Sequence, residues 1–176
     1  GLVAGGRTAA EAEALLRAVS TRLTRAAAPP LRPAPALAAR LDGSAYAPAP
    51  SDRIHALAMD TARLALAARP PWCPDQVIFL GPGIPICAAD EHPDDCAARH
   101  QAQTGAPPPP LILLPGVGAA MRRDASAAAH ALALGVADFL AQTDADARLI
   151  GLDPAQIAEL LDWDAEKYRQ GLAREA

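Results

Sequence analysis

Proline placement sets the limits on how this chain can fold. Twelve of the eighteen prolines crowd into three stretches, Pro29-Pro30 with Pro33, Pro35, Pro48 and Pro50, then Pro70-Pro71, then Pro107 to Pro110. Each lacks a backbone N–H, fixes φ and disfavours helix in the residue before it. Regular elements therefore have to start and stop between these points, and the chain is cut into short segments.

The segments carry their own signals. Gly1-Leu2-Val3-Ala4 reads as an apolar, strand-like opening that turns on Gly5-Gly6. Thr8-Ala9-Ala10-Glu11 is a capping box. Ala12, Leu15, Leu16, Val19 and Leu23 follow at helical spacing on one face, with Arg17, Arg22 and Arg25 opposite. Residues 29–50 form a Pro-rich surface segment, with one or two helical turns across Ala36 to Leu41. Ile54 to Met59 alternates weakly, as a strand does. Asp60 caps a short Leu/Ala helix that ends before Pro70. Gln76 to Leu80, β-branched and aromatic, reads as a firm strand. Ile84 to Cys87 extends it after a turn, with Pro85 marking an edge. Asp94 to Gln103 is a short helix, and the Pro107–Pro110 run an extended linker. Leu111 to Leu114 is a second strand, and Ala119 to Met121 a third beyond the Pro115–Gly118 turn. Asp124 to Gln142 is the longest helix, with Ala128, Leu132, Val136, Phe139 and Leu140 towards the core. Asp153-Pro154 opens the helical tail of residues 151–176.

Strands and helices alternate, but the links after Leu80 and Leu114 are short and rich in Gly and Pro. That pattern permits hairpins beside helices. The expected fold is α/β: a three-layer α/β/α arrangement with a mixed or largely antiparallel sheet, in one domain over residues 1–176.

The 16 basic and 20 acidic residues leave a net charge of −4, with no basic stripe to neutralise phosphates, which argues against a dedicated nucleic-acid binder. No run of about 18 apolar residues predicts a membrane span. Hydrophobic residues are 51 % but aromatics only 3 %, so the core has to be built from Ala, Leu, Val and Ile. Three cysteines do not make a disulfide framework, and a reducing cytoplasm is the default location. The Ala/Pro/Arg-rich composition is associated with GC-rich bacterial genomes.

Several patches together resemble the class II aldolase/adducin family. Gly1-Leu2-Val3-Ala4-Gly5-Gly6-Arg7-Thr8, followed by Ala-Glu-Ala-Glu-Ala, is similar to a family strand that reads Asn-His-Gly-Leu-Val-Val before a Gly turn and a Glu/Ala-rich helix. Pro74-Asp75-Gln76-Val77-Ile78-Phe79-Leu80-Gly81 resembles a Pro-Asp-His-Val-Val-Phe-Leu-Gly stretch of bacterial members. Leu114-Pro115-Gly116-Val117-Gly118 is similar to their Leu-Pro-Gly-x-Gly turn. Leu160 to Arg169 resembles their C-terminal tail. The resemblance implies the C-terminal portion of a class II aldolase-like, homo-oligomeric protein, incomplete at its N-terminus, whose parent cleaves a small sugar or sugar phosphate by a metal-dependent retro-aldol reaction. There a divalent ion, often zinc, would polarise the carbonyl. A His-x-His pair and the His before the residue matched by Gly1 would hold that ion, so the resemblance transfers no metal ligand or base to this chain and implies that it is inactive alone. Tyr168 is the candidate for a tyrosine that, in some members, reaches a neighbouring subunit's active site. The alternative within the family is a non-catalytic, adducin-like scaffold.

One local constellation stands apart from the resemblance. Cys87, His92, Cys96 and His100 supply thiolate and imidazole donors, and Cys96 and His100 share a helix face. Together they would close a structural zinc site, although the spacing matches no common zinc module. Asp90, Glu91, Asp94 and Asp95 add negative charge. A solvated loop and helix with scattered Cys and His is the competing reading. Cys73 reads as a structural thiol, His55 as a hydrogen-bonded core residue, and His130 as a packing or surface residue. Gly81-Pro82-Gly83 and Gly116-Val117-Gly118 read as turns without a Walker lysine, and Arg122-Arg123 as exposed basic residues that need no function.

Overall fold

A computed structural model describes residues 3–23 and 31–163. Its elements run α1 (Ala9–Leu23), α2 (Leu37–Arg40), β1 (Tyr46–Pro48), α3 (Asp52–Met59), α4 (Thr61–Ala67), α5 (Pro74–Leu80), α6 (Pro93–Thr104), β2 (Leu111–Leu114), β3 (Gly118–Arg122), α7 (Ala127–Ala141) and α8 (Pro154–Asp162). The fold mixes helices with one small sheet, so it is α/β at the coarse level.

The sheet has the order β1-β3-β2, antiparallel throughout. Tyr46 faces Arg122 across one pairing, and Ile112 faces Ala120 across the other. Outside β2, Ile86 makes a single parallel bridge to Leu113, with Leu113 N–H donating to the Pro85 carbonyl at 3.0 Å and Cys87 N–H to the Leu113 carbonyl at 2.9 Å. Residues 84–87 thus sit at the sheet edge, where Pro85 needs no N–H.

Strand residues alternate between faces, and both faces are covered. Leu111, Leu113, Ala119 and Met121 enter one apolar cluster with Leu57 of α3, Leu66 of α4, Leu80 of α5 and Val136 of α7. Ile112, Leu114 and Ala120 enter the other, with Leu37 of α2, Tyr46, Cys87 and Cys96 of α6.

Two predicted strands are helices. Gln76 to Leu80 belongs to α5, which opens at an extended Cys73 with Pro74 in its first turn and closes at Gly81, φ +92°. Asp75 in the first turn favours the helix dipole. The β-branched run satisfies either geometry when it is buried all round, and its end signals decided the outcome. Ile54 to Met59 lies in α3, because Ser51 caps it by accepting from the Arg53 N–H. The 29–50 stretch is not confined to the surface. Leu37, Leu41 and Tyr46 are among the most buried residues, and β1 completes the sheet.

Val3 and Ala4 form no strand, and α1 buries none of its residues, with Leu15, Leu16 and Leu23 exposed. Thr8 Oγ1 accepts from the Glu11 N–H at 3.2 Å, but Glu11 reaches back to the Arg7 N–H, one residue earlier than a capping box requires. On α7 the buried face is Ala129, Ala133, Val136, Ala137 and Leu140, while Phe139 is exposed at the surface and stacks on Trp72 at 5.2 Å. Asp60 caps α4 through the Ala62 and Arg63 N–H groups, and Asp153 and Gln156 form a full capping box on α8. Arg25, Tyr168 and the rest of the tail beyond Trp163 lie outside the described residues.

Candidate functional site

Three potential ligand atoms meet where the sheet edge touches α6. Cys87 is fixed by its backbone bond to Leu113. Cys96 lies on α6, and Glu91 lies in the loop between them. The two sulfurs and a Glu91 oxygen all lie within 4.8 Å of one another. Both cysteines are free thiols and buried. Among the described residues this is the one group of three or more Cys, His, Asp or Glu donors so gathered.

Two guanidinium groups hold the loop. Arg99 donates from Nε to Glu91 Oε1 at 2.8 Å and from Nη2 to Glu91 Oε2 at 3.0 Å. The same Nη2 reaches the Ile86 carbonyl at 3.0 Å and Cys96 Sγ at 3.5 Å. Arg40 of α2 donates to the carbonyls of Ala89 and Glu91. Glu91 closes its own turn by accepting from the Ala88 N–H at 2.9 Å.

These contacts set the electrostatics. The Arg99 hydrogen bond holds the Glu91 carboxyl down to about 2. The two sulfurs lie within 4.8 Å of each other. Cys87 is pushed up by its interaction with Cys96 and by burial, whereas Cys96 is drawn down by its interaction with Cys87, with Arg99 acting in the same direction.

The sequence quartet divides. The structure brings Cys87 and Cys96 together and leaves the two histidines elsewhere. His92 caps α6, its Nδ1 accepting from the Asp94 N–H at 3.3 Å, and is nearly half exposed. His100 lies one turn beyond Cys96, buried, with Nε2 lacking a partner. Burial and the neighbouring Arg99 keep its pKa low. Glu91, read from sequence only as added charge, takes the third position, and Arg99 was missed. Their eight-residue separation is no helical spacing, but an acid in the loop and a base on the helix face that carries Cys96 were the available signal.

A cleft of about 470 Å³ adjoins the cluster. Its walls include Arg69, Gly83, Ile84, Gln103, Arg99 and His100. Arg99 thus borders both the cleft and the thiols. Gly83 lies directly beside the His100 ring, 3.8 Å from where a side-chain carbon would begin.

Several of the remaining sequence candidates have structural partners. His55 Nδ1 accepts from the Ala119 N–H at 3.1 Å, joining α3 to the sheet. Arg122 pairs with Asp124, and Arg123 leans on the Ser44 carbonyl. Cys73 is the half-buried residue before α5 and makes no capping bond. In Leu114–Val117, the Val117 N–H bonds the Leu114 carbonyl at 2.9 Å, with Pro115 second and Gly116 third at φ +69°. That is a type II turn, which needs a glycine there. No helix among the described residues is long and apolar enough to cross a membrane. Compared with protein-family models, curated proteins and solved structures, the chain finds no match.

Proposed function

We propose that the chain is the C-terminal portion of a class II aldolase-like protein with the three-layer α/β/α arrangement of that family. Its parent would cleave a small sugar or sugar phosphate with a divalent metal. The order of the four sequence patches carries the reading. Two of them lie wholly within the described residues and form complete local units: α5 from Pro74 to its Gly81 cap, and the type II turn at Leu114–Gly118. Helices packed on both faces of an antiparallel sheet are compatible with it.

The chain's own described residues do not fit the family's metal. His55, His92, His100 and His130 do not gather into a ligand set, and His55 and His92 already accept backbone hydrogen bonds through Nδ1. No catalytic step is therefore assigned to them. The 176-residue chain should be silent in an aldol-cleavage assay on sugar phosphates supplied with zinc or manganese. Joined to an upstream segment carrying His-x-His and Asn-His, it should become active. Turnover by this chain alone would overturn the reading.

A non-catalytic scaffold is the second reading, favoured by one observation. Leu15, Leu16 and Leu23 of α1 are 50 %, 41 % and 66 % exposed. A second copy of the chain is the occupant this reading supplies. Analytical ultracentrifugation tests that contact: Leu15→Glu with Leu16→Glu should shift an oligomer to monomer, and an unchanged mass removes this support.

A further inference from the structure

We propose that Cys87, Glu91 and Cys96 form a three-ligand site for a thiophilic divalent cation of the zinc class, open at a fourth position toward the Arg99 side of the adjacent cleft. This is independent of the aldolase reading, which places its metal on histidines.

Geometry is the first support. The three donor atoms lie within 4.8 Å of one another. Donors on one tetrahedral zinc sit roughly 3.5–4 Å apart, given metal bonds of about 2.0–2.3 Å. Only a small closure is needed. Cys87 and Cys96 are held by a sheet bridge and a helix, so their spacing is set by the fold before any ion arrives.

Charge is the second. Two thiolates and a carboxylate carry three negative charges, and Arg99 contributes one positive. A divalent cation brings the sum to zero. With both thiols protonated, the Glu91–Arg99 pair is neutral as well. The site therefore exchanges two protons for one divalent ion at constant net charge, which avoids the cost of leaving a buried charge uncompensated. In each exchange an S–H bond breaks, its proton goes to solvent and an S–metal bond forms, so no electron moves. Sulfur donors select zinc-class ions over magnesium or calcium.

The surroundings are the third. Arg99 grips both Glu91 oxygens and touches Cys96, as outer partners orient metal ligands. It also borders the cleft, so the fourth position we assign lies on the side where Arg99 separates the donors from that space. His100 lies on that side but outside the donor group, so the site has three protein ligands and not the four that the sequence suggested.

The test uses the full chain, kept reduced, incubated with zinc and then desalted. Elemental analysis should give one zinc per chain. Two of the three thiols should become protected from a thiol reagent, and cobalt in place of zinc should show a sulfur-to-cobalt charge-transfer band. Cys87→Ser and Cys96→Ser should each abolish retention, and Cys73→Ser should leave it intact. Because those core positions could disturb folding, Glu91→Gln is the second variant: it should keep the fold by circular dichroism and weaken zinc about 10-fold or more. Zinc should raise the melting temperature of the wild type and not of Cys96→Ser. Folded, reduced wild type that retains no zinc overturns the proposal. So does an equivalent that survives loss of both Cys87 and Cys96, or a cobalt spectrum without the sulfur band.

Discussion

Gly118 is crowded from three sides. A side-chain carbon added there would lie 3.0 Å from Leu37 Cδ2, 3.0 Å from Pro33 Cβ and 3.2 Å from His55 Nδ1, at φ +147°. Two of those neighbours are rigid: a proline ring, and an imidazole already bonded to Ala119. Gly118→Ala should therefore cost about 1–3 kcal/mol, read as a lower urea midpoint. The Gly5→Ala control meets no atom within 4 Å and should be close to neutral. Tyr46 makes a different kind of commitment. Its ring is buried and its hydroxyl donates to the Pro109 carbonyl at 2.7 Å, while burial pushes its pKa well above the usual phenol value. Tyr46→Phe keeps the ring but strands that carbonyl, for a loss of about 1–2 kcal/mol in the same measurement.

Among elements, the caps are where sequence and structure agree best. Asp60, Asp153-Pro154 and the Pro115-Gly116 turn are local signals, each acting within about four residues. The Asp153 side chain accepts from the Gln156 N–H at 2.9 Å and Gln156 returns the bond. Asp153→Ala should then unwind the first turn of α8, at about 1 kcal/mol, seen as faster amide exchange at Ile157 and Leu160. The failures are equally specific. Val77-Ile78-Phe79 was read by residue type, and type is uninformative in a segment buried on nearly every side. Phe139 was placed inside by the helical period, yet its partner, Trp72, precedes α5 and stacks on it at the surface. The site divided in the same way. Cys87 and Cys96 were legible as donors, but the 92–93 helix start turned His92 into a cap, and the eight-residue step from Arg99 back to Glu91 is no helical spacing.

At the scale of the molecule, acid acts through buried histidines and paired carboxylates, Asp124 beside Arg122 among the latter. Burial lowers the pKa of His55 and His100 below 6.5 in the fold, so the unfolded chain binds more protons below that value. Their contribution is present above 6.5 and lost as pH falls through the folded values. Glu91 is held at about 2 against 4.5 in the free residue, so its contribution is present above 4.5 and is lost as pH falls toward 2. All three act with the same sign. Denaturant midpoints should therefore fall on acidification in two windows, the first starting near 6.5 and the second near 4.5, and His55→Gln should flatten the first. A midpoint that rises anywhere between neutrality and pH 4.5 would contradict the assignment of buried, neutral histidines.

The sheet order has a consequence for how the molecule comes into being. β3 is the central strand and also the last of the three in the chain. As synthesis proceeds, β1 and β2 both emerge before the strand that each of them pairs with. Apart from the bridge of Leu113 to residues 85–87, neither can be paired until Arg122 has left the ribosome, and closing β1 onto β3 then carries the entropy of a long loop. Until that moment the early helices wait with their apolar sides open, α3 holding out His55 for the Ala119 N–H that completes it. Nascent chains released before β3 should stay open to protease, and protection should arrive in one step as that strand appears.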